Sequence, residues 1–273
     1  MHHVSDLEEF TEDLKLAHLQ ETPKMGRSHV RFTVAHQHGS DRHRIFLRLS
    51  HAQYDGVCFP AILSALQTCY EGGSIDSAPS YAKYIQGSLG KVTPEHYEYW
   101  SKLLDGSTST DVVPRSYKSL KTVPTQVLKQ VVPMSSLASL NITPATIVKA
   151  AWSIVLAKAT GKSDVVFGHL ISGRNVASVQ GIESIVGPCI NVVPVRVQHQ
   201  SSWTVLDLLK YIQDQQVDNM PYESLGFQEI IDKCSGWADK RGGNGFSTFV
   251  QHQSMPQTGD LSKLDAMDKL ATQ

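Results

Sequence analysis

Helix-type and strand-type patterns mix along these 273 residues, which predicts an α/β (α+β) fold. Three observations carry the prediction. Residues 29–35 and 44–49 are strand-like runs on either side of His38-Gly39-Ser40-Asp41, the pattern of a hairpin. The stretch from Thr143 to Gly161 carries a cap, an opening proline and a closing glycine, and is apolar nearly all round, as a buried helix is. Residues 105–124 are polar and interrupted by Pro114 and Pro124, which places a boundary between two halves, 1–114 and 115–273.

In chain order, Ser5-Asp6-Leu7-Glu8 reads as a capping box, and Leu7, Phe10, Leu14 and Ala17 recur at helical spacing before Pro23. After the hairpin, Val57 to Tyr70 reads as a helix ending at Gly72-Gly73. Residues 74–92 are rich in Ser, Gly and Tyr and read as a surface excursion. Thr93-Pro94 opens a helix running through Trp100 to Leu104. Val165-Val166-Phe167 is a short apolar strand flowing into Ser172-Gly173-Arg174-Asn175. Cys189 to Val197 is another, and Pro194 assigns it to a sheet edge or a bulge. A helix capped by Ser202, a short helix after Glu223 and a strand from Phe246 to Gln251 follow.

Composition narrows the function classes. With 41% apolar and 19% charged residues the chain can bury a core, and 25 basic against 26 acidic residues disfavour nucleic acid or an anionic membrane as main partner. Cys58, Cys69, Cys189 and Cys234 form no CxxC pair, and no run approaches 18 apolar residues. The expectation is a cytoplasmic protein with reduced thiols.

One stretch places costly polar residues where a strand ends and a helix begins: Ser50-His51-Ala52-Gln53-Tyr54-Asp55-Gly56. Histidine can accept and return a proton near neutral pH, and Gly56 would let the turn take a conformation closed to other residues. Taken alone, His51 reads equally as a satisfied structural residue beside an Asp-Gly turn.

Three further segments follow: residues 143–152 (Thr-Pro-Ala-Thr-Ile-Val-Lys-Ala-Ala-Trp), 164–175 (Asp-Val-Val-Phe-Gly to Ser-Gly-Arg-Asn) and 186–196 (Val-Gly-Pro-Cys-Ile-Asn-Val-Val-Pro-Val-Arg). Together and in this order the four resemble the condensation domain of nonribosomal peptide synthetases, in a fungal style. Ser50 stands where the family usually has a first histidine, which is similar to terminal domains that release a peptide by cyclisation.

The resemblance covers nearly the whole chain but only the middle of the family's domain. It implies a chloramphenicol-acetyltransferase-like two-lobed fold, incomplete at both ends, with part of the N-terminal lobe in 1–114 and part of the C-terminal lobe in 115–273. It implies an acyltransferase that joins a carrier-tethered peptidyl or acyl thioester to an amine, in secondary-metabolite biosynthesis. The substrate would arrive on the phosphopantetheine of a peptidyl carrier (thiolation) domain, with no cofactor bound by the domain itself. Position by position, His51 is the catalytic residue. Asp55 pairs with Arg174 across the lobes to support the site, unless Arg174 is exposed on a loop. Gly56 offers a backbone N–H to an oxyanion and Asn191 lines the tunnel. A different class, a truncated non-catalytic remnant or docking module, stays open. A coenzyme-A-dependent plant-type acyltransferase would need an Asp-Phe-Gly-Trp-Gly segment that is absent.

Other motifs read as bland. His36 and His38 would share a strand face near His43, but no carboxylate or cysteine joins them at ligand spacing, so no metal is expected. Arg241 to Gly245 lacks the Gly-Lys-Ser/Thr ending of a phosphate loop. There is no Gly-x-Ser-x-Gly elbow, and no cysteine has an activating basic neighbour.

Overall fold

The computed structural model describes residues 1–21, 26, 29–112, 126–133, 138–175, 179–237 and 245–253. The chain forms two compact units, one from Met1–Gly90 with Arg174–Ile190, the other from Lys91–Gly173 with Asn191–Gln273. The boundary expected at residue 114 lies outside the described residues. What alternation of local patterns could not reveal is that 174–190 returns to the first unit.

In the first unit, β1 (His2–Val4) runs parallel to β2 (Arg31–Gln37), and β2 pairs antiparallel with β3 (His43–Arg48) in the order β1-β2-β3. Between β1 and β2 lies α1 (Leu7–Gln20). Its cap is Asp6, one residue beyond the expected Ser5: the Asp6 carboxylate accepts from Glu8 N at 2.6 Å and Glu9 N at 3.1 Å. A carboxylate also meets the positive end of the helix dipole, which a serine hydroxyl cannot do as well. Arg44 on β3 holds α1 down by donating to Glu8 and Thr11. A 3-10 turn, His51–Gln53, follows β3 and leads to α2 (Cys58–Tyr70). The segment expected as an excursion contains α3 (Tyr81–Leu89), a helix of nine residues that carries Gly87, a poor helix former. Tyr84 of α3 packs with Ile182, Ile185 and Cys189 in the unit's apolar cluster.

In the second unit come α4 (Pro94–Leu104), α5 (Pro144–Thr160), β4 (Asp164–Ser172), β5 (Ile190–Gln198), α6 (Val205–Asn219) and β6 (Phe249–Gln251). The sheet order is β5-β4-β6, with β4 parallel to β6. Successive residues of β4 point into two apolar clusters. Val165 and Phe167 pack with Leu156 of α5 and Ile212 of α6, while Val166 packs with Trp100, Leu104 and Trp237. β4 starts one residue before and runs five residues past the three that look like strand, because His169 breaks the apolar run yet is itself buried. Pro194 sits on an edge strand of this sheet, among the described residues, as a missing N–H requires. The cap of α6 is Thr204 and not Ser202: Thr204 and Asp207 close a reciprocal capping box. Among the described residues no helix is long and apolar enough to cross a membrane.

Candidate active site

The segment 50–56 is built from its own backbone outward. Ser50 accepts from Ala52 N at 3.3 Å, and Gln53 Oε1 accepts from Ser50 N at 3.2 Å, which caps the 3-10 turn that starts at His51. The His51 side chain is exposed. Its ring stacks on Tyr54, with centroids 4.6 Å apart and planes at 13°. Tyr54 in turn meets Phe59 of α2 at 5.2 Å.

Asp55 is buried, at 1% exposure, and ties together three parts of the first unit. Its Oδ1 accepts from Val57 N at 3.0 Å and Cys58 N at 2.8 Å, capping the start of α2. Its Oδ2 accepts from Cys189 N at 2.8 Å. Arg174 Nη2 donates to Oδ1 at 3.1 Å and Oδ2 at 3.0 Å. Burial pushes the Asp55 carboxyl up, but these amides and the Arg174 charge outweigh it and hold it below the ordinary value.

Arg174 is likewise buried, at 4% exposure. Besides Asp55 it donates to the carbonyls of Ile182, Ile185 and Gly187, each within 3.1 Å. The expected pair therefore forms, but not as a tie across lobes, since both residues belong to the same unit. Gly187 takes φ +156°, and a Cβ there would lie 2.3 Å from the Tyr81 ring, so only glycine fits beside a tyrosine whose hydroxyl donates to Pro188 O. Gly56 is exposed and is not among the residues with positive φ, so its backbone is not the special conformation expected of it.

Asn191 belongs to the second unit and is fully committed there. Its Nδ2 donates to Glu223 O and Leu225 O at 2.8 Å each, and its Oδ1 accepts from Val192 N and Phe227 N. Instead of offering a free polar group to a tunnel, it clamps the 223–227 turn. Arg196, in the same matching segment, makes a second, half-buried ion pair that sequence reasoning missed. It donates to Asp164 and to the carbonyls of Leu103 and Asp105.

The remaining candidates separate clearly. Cys58, Cys189 and Cys234 are buried free thiols and Cys69 an exposed one. Burial, with the Asp55 charge nearby, pushes the Cys189 thiol up to about 11, against only partial opposition from Arg174, so it is no nucleophile at neutral pH. His36, His38 and His43 gather with His3, whose Nδ1 lies 3.2 Å from that of His36. Among the described residues no three His, Cys, Asp or Glu are placed to hold a metal ion. Of the glycine-rich loop, 241–244 lies outside the described residues.

The Condensation domain family model matches residues 3–272. The chain belongs to the condensation-domain family. Nonribosomal peptide synthetase 4 of Gibberella zeae is 60% identical over 260 residues, covering 95% of this chain and 3% of that protein. Nonribosomal peptide synthetase 1 of Aspergillus fumigatus is 43% identical over 260 residues, 94% of this chain and 4% of the relative. The solved structure described as holo T3CT superimposes with a TM-score of 0.79 at 27% identity, covering 94% of this chain and 59% of the other. The first condensation domain of the calcium-dependent antibiotic synthetase, in complex with a substrate analogue, has a TM-score of 0.59 at 14% identity, covers 93% and 59%, and speaks for the fold alone. These condensation domains share the chloramphenicol-acetyltransferase-like α/β fold expected from the four segments. The chain spans a few per cent of its curated relatives and about three-fifths of these structures.

Proposed function

We propose that this chain is the core of a condensation-type acyltransferase, in which His51 handles the proton of an attacking amine. The observation that carries the reading is the local build of the segment 50–56: an exposed imidazole on a capped turn, one turn ahead of a carboxylate locked in place by Arg174. In the reaction, the amine nitrogen forms a bond to the thioester carbonyl carbon and its proton passes to His51. The C–S bond then breaks and the departing sulfur takes the proton back. An α-amino group has a pKa near 7.7–8.0, so roughly a tenth is already neutral at pH 7. General-base assistance of about 10²–10⁴-fold is then enough beside the larger gain from holding two tethered reactants together. Gly56 is assigned to the oxyanion by its position next to Asp55 alone.

The acyl donor is a peptidyl thioester carried on the phosphopantetheine of a thiolation domain, in the cytoplasm. The amine lies on the same peptide, so the product is cyclic and released. Ser50 ahead of His51, as in terminal domains, supports this finer reading. A second reading, a docking module without catalysis, is favoured by the segment 126–133, where Leu128 and Val131 are over 90% exposed.

The test is incubation of the chain with a peptidyl-S-pantetheine thioester bearing a free amine, followed by mass spectrometry. A cyclic or amide product that disappears in His51→Ala supports the proposal. Equal product from a folded His51→Ala protein overturns the role of His51, and no product from a cooperatively melting wild type favours the docking module.

A further inference from the structure

We infer that Tyr54 is a positioning residue that holds the His51 imidazole in its working orientation by stacking, an inference that rests on His51 being the group that takes the proton. Among the described residues no hydrogen bond to either His51 ring nitrogen is formed. A histidine base is ordinarily aimed by a hydrogen bond at its second nitrogen, which fixes both ring angle and tautomer. Here the contact available to aim the ring is the Tyr54 face, 4.6 Å away and within 13° of parallel.

The local backbone explains why the two rings meet. A 3-10 turn has three residues per turn, so side chains at i and i+3 eclipse. His51 opens that turn and Tyr54 follows it directly. The stack has a footing: Tyr54 lies against Phe59, and Phe59 N donates to Asp55 O at 3.1 Å. Asp55 is the carboxylate gripped by Arg174, Cys58 N and Cys189 N. Rigidity is thus passed from the buried ion pair through the first turn of α2 to Phe59, Tyr54 and the imidazole. The hydroxyl of Tyr54 has no part in this, so a phenylalanine should serve.

The test has a spectroscopic and a kinetic arm, both on the full chain. In the NMR spectrum, the ring protons of His51, assigned by difference from His51→Gln, are expected upfield of their unfolded positions because they lie over an aromatic face. Tyr54→Phe should keep that displacement and Tyr54→Leu should abolish it. With the peptidyl-S-pantetheine substrate, Tyr54→Leu should lower kcat about tenfold with KM within twofold, and Tyr54→Phe should restore it. Unfolded-like His51 shifts in wild type overturn the stack, whether or not any variant folds. A Tyr54→Phe protein as slow as Tyr54→Leu assigns the effect to the hydroxyl and overturns positioning. If Tyr54→Leu turns over normally while His51→Ala is dead, the Tyr54 inference fails and His51 stands. If His51→Ala turns over normally, the underlying reading fails instead.

Discussion

Replacing Asp55 by Asn tests the mechanical claim on which the site depends. The carboxylate accepts from Val57 N, Cys58 N, Cys189 N and twice from Arg174. An asparagine oxygen can keep the two amides at the start of α2. Its NH₂ must then face Cys189 N–H and the guanidinium, donors against donors. The guanidinium cannot shed its proton, and it stays buried with only the carbonyls of Ile182, Ile185 and Gly187. Removing one member of a buried pair costs about 3–5 kcal/mol, and an orphaned buried amide about 1–3 kcal/mol. The retained carbonyls offset part of this, so the expected loss is about 4 kcal/mol, a large share of a domain's usual 5–15 kcal/mol.

The assay must see the first unit. All four tryptophans, Trp100, Trp152, Trp203 and Trp237, lie in the second, so their fluorescence is the wrong probe. Hydrogen exchange by mass spectrometry on peptides covering 55–59 and 182–190 reads the affected amides directly. Both sets should exchange faster in Asp55→Asn, and the Asp55→Asn, Arg174→Met double variant should lose less than the sum of the singles. Acid adds a sign. The folded carboxyl is held below its unfolded value near 3.9, so its stabilisation is complete at higher pH and fades as pH falls through that region. Wild type should show this acid loss and Asp55→Asn should not. A change under about 1 kcal/mol with unaltered exchange at Cys189 would refute the argument.

Gly187→Ala should cost about 3 kcal/mol and displace Tyr81, seen as a lowered Tm, since both the φ of +156° and the ring 2.3 Å away oppose a Cβ. Asn191→Ala should speed exchange across 223–227 and lower stability by about 2 kcal/mol; normal exchange with altered substrate preference would return Asn191 to a tunnel role. Burial pushes Glu223 up to about 7, with Gln216 and Lys149 opposing, so it costs stability as pH rises from about 4.3 toward 7. Glu223→Gln should therefore gain on wild type over that range by up to about 1.4 kcal/mol per pH unit, measured by urea unfolding. Burial, helped by the Lys149 charge, pushes His169 down to about 3, so His169→Gln should lessen the loss of stability below about pH 6.5.

What was legible follows from how local each signal is. The hairpin, α4 and α5 announce themselves through caps, prolines and periodicity within one stretch of chain. The partnership of Asp55 with Arg174 could be posed because a buried guanidinium demands a carboxylate, and the family resemblance pointed to Asp55. The return of 174–190 to the first unit could not, because its cause is the non-local burial of Ile185 and Cys189 against Tyr84. The cap of α1 slipped by a residue since Ser5 and Asp6 are both good caps, and only geometry chooses. The structural work of Asn191 was not legible, because a polar residue in a matching segment invites a ligand role and its four hydrogen bonds go to backbone that is mostly distant in sequence. Tyr54 lay inside the quoted motif, and the i, i+3 spacing to His51 was the signal available.

The two polar residues of the motif divide their work by burial. Asp55 is removed from solvent, held charged by Arg174 and three amides, and so cannot exchange protons over the pH range in which amines react. His51, four residues earlier, is exposed. A carboxylate at that distance is often assigned to orient or charge the histidine. The hydrogen bonds instead spend it on the start of α2, on Cys189 and on Arg174, which is scaffolding. The spacing of four residues is then set by construction: one 3-10 turn presents His51, and the next residues anchor that turn to the helix behind it.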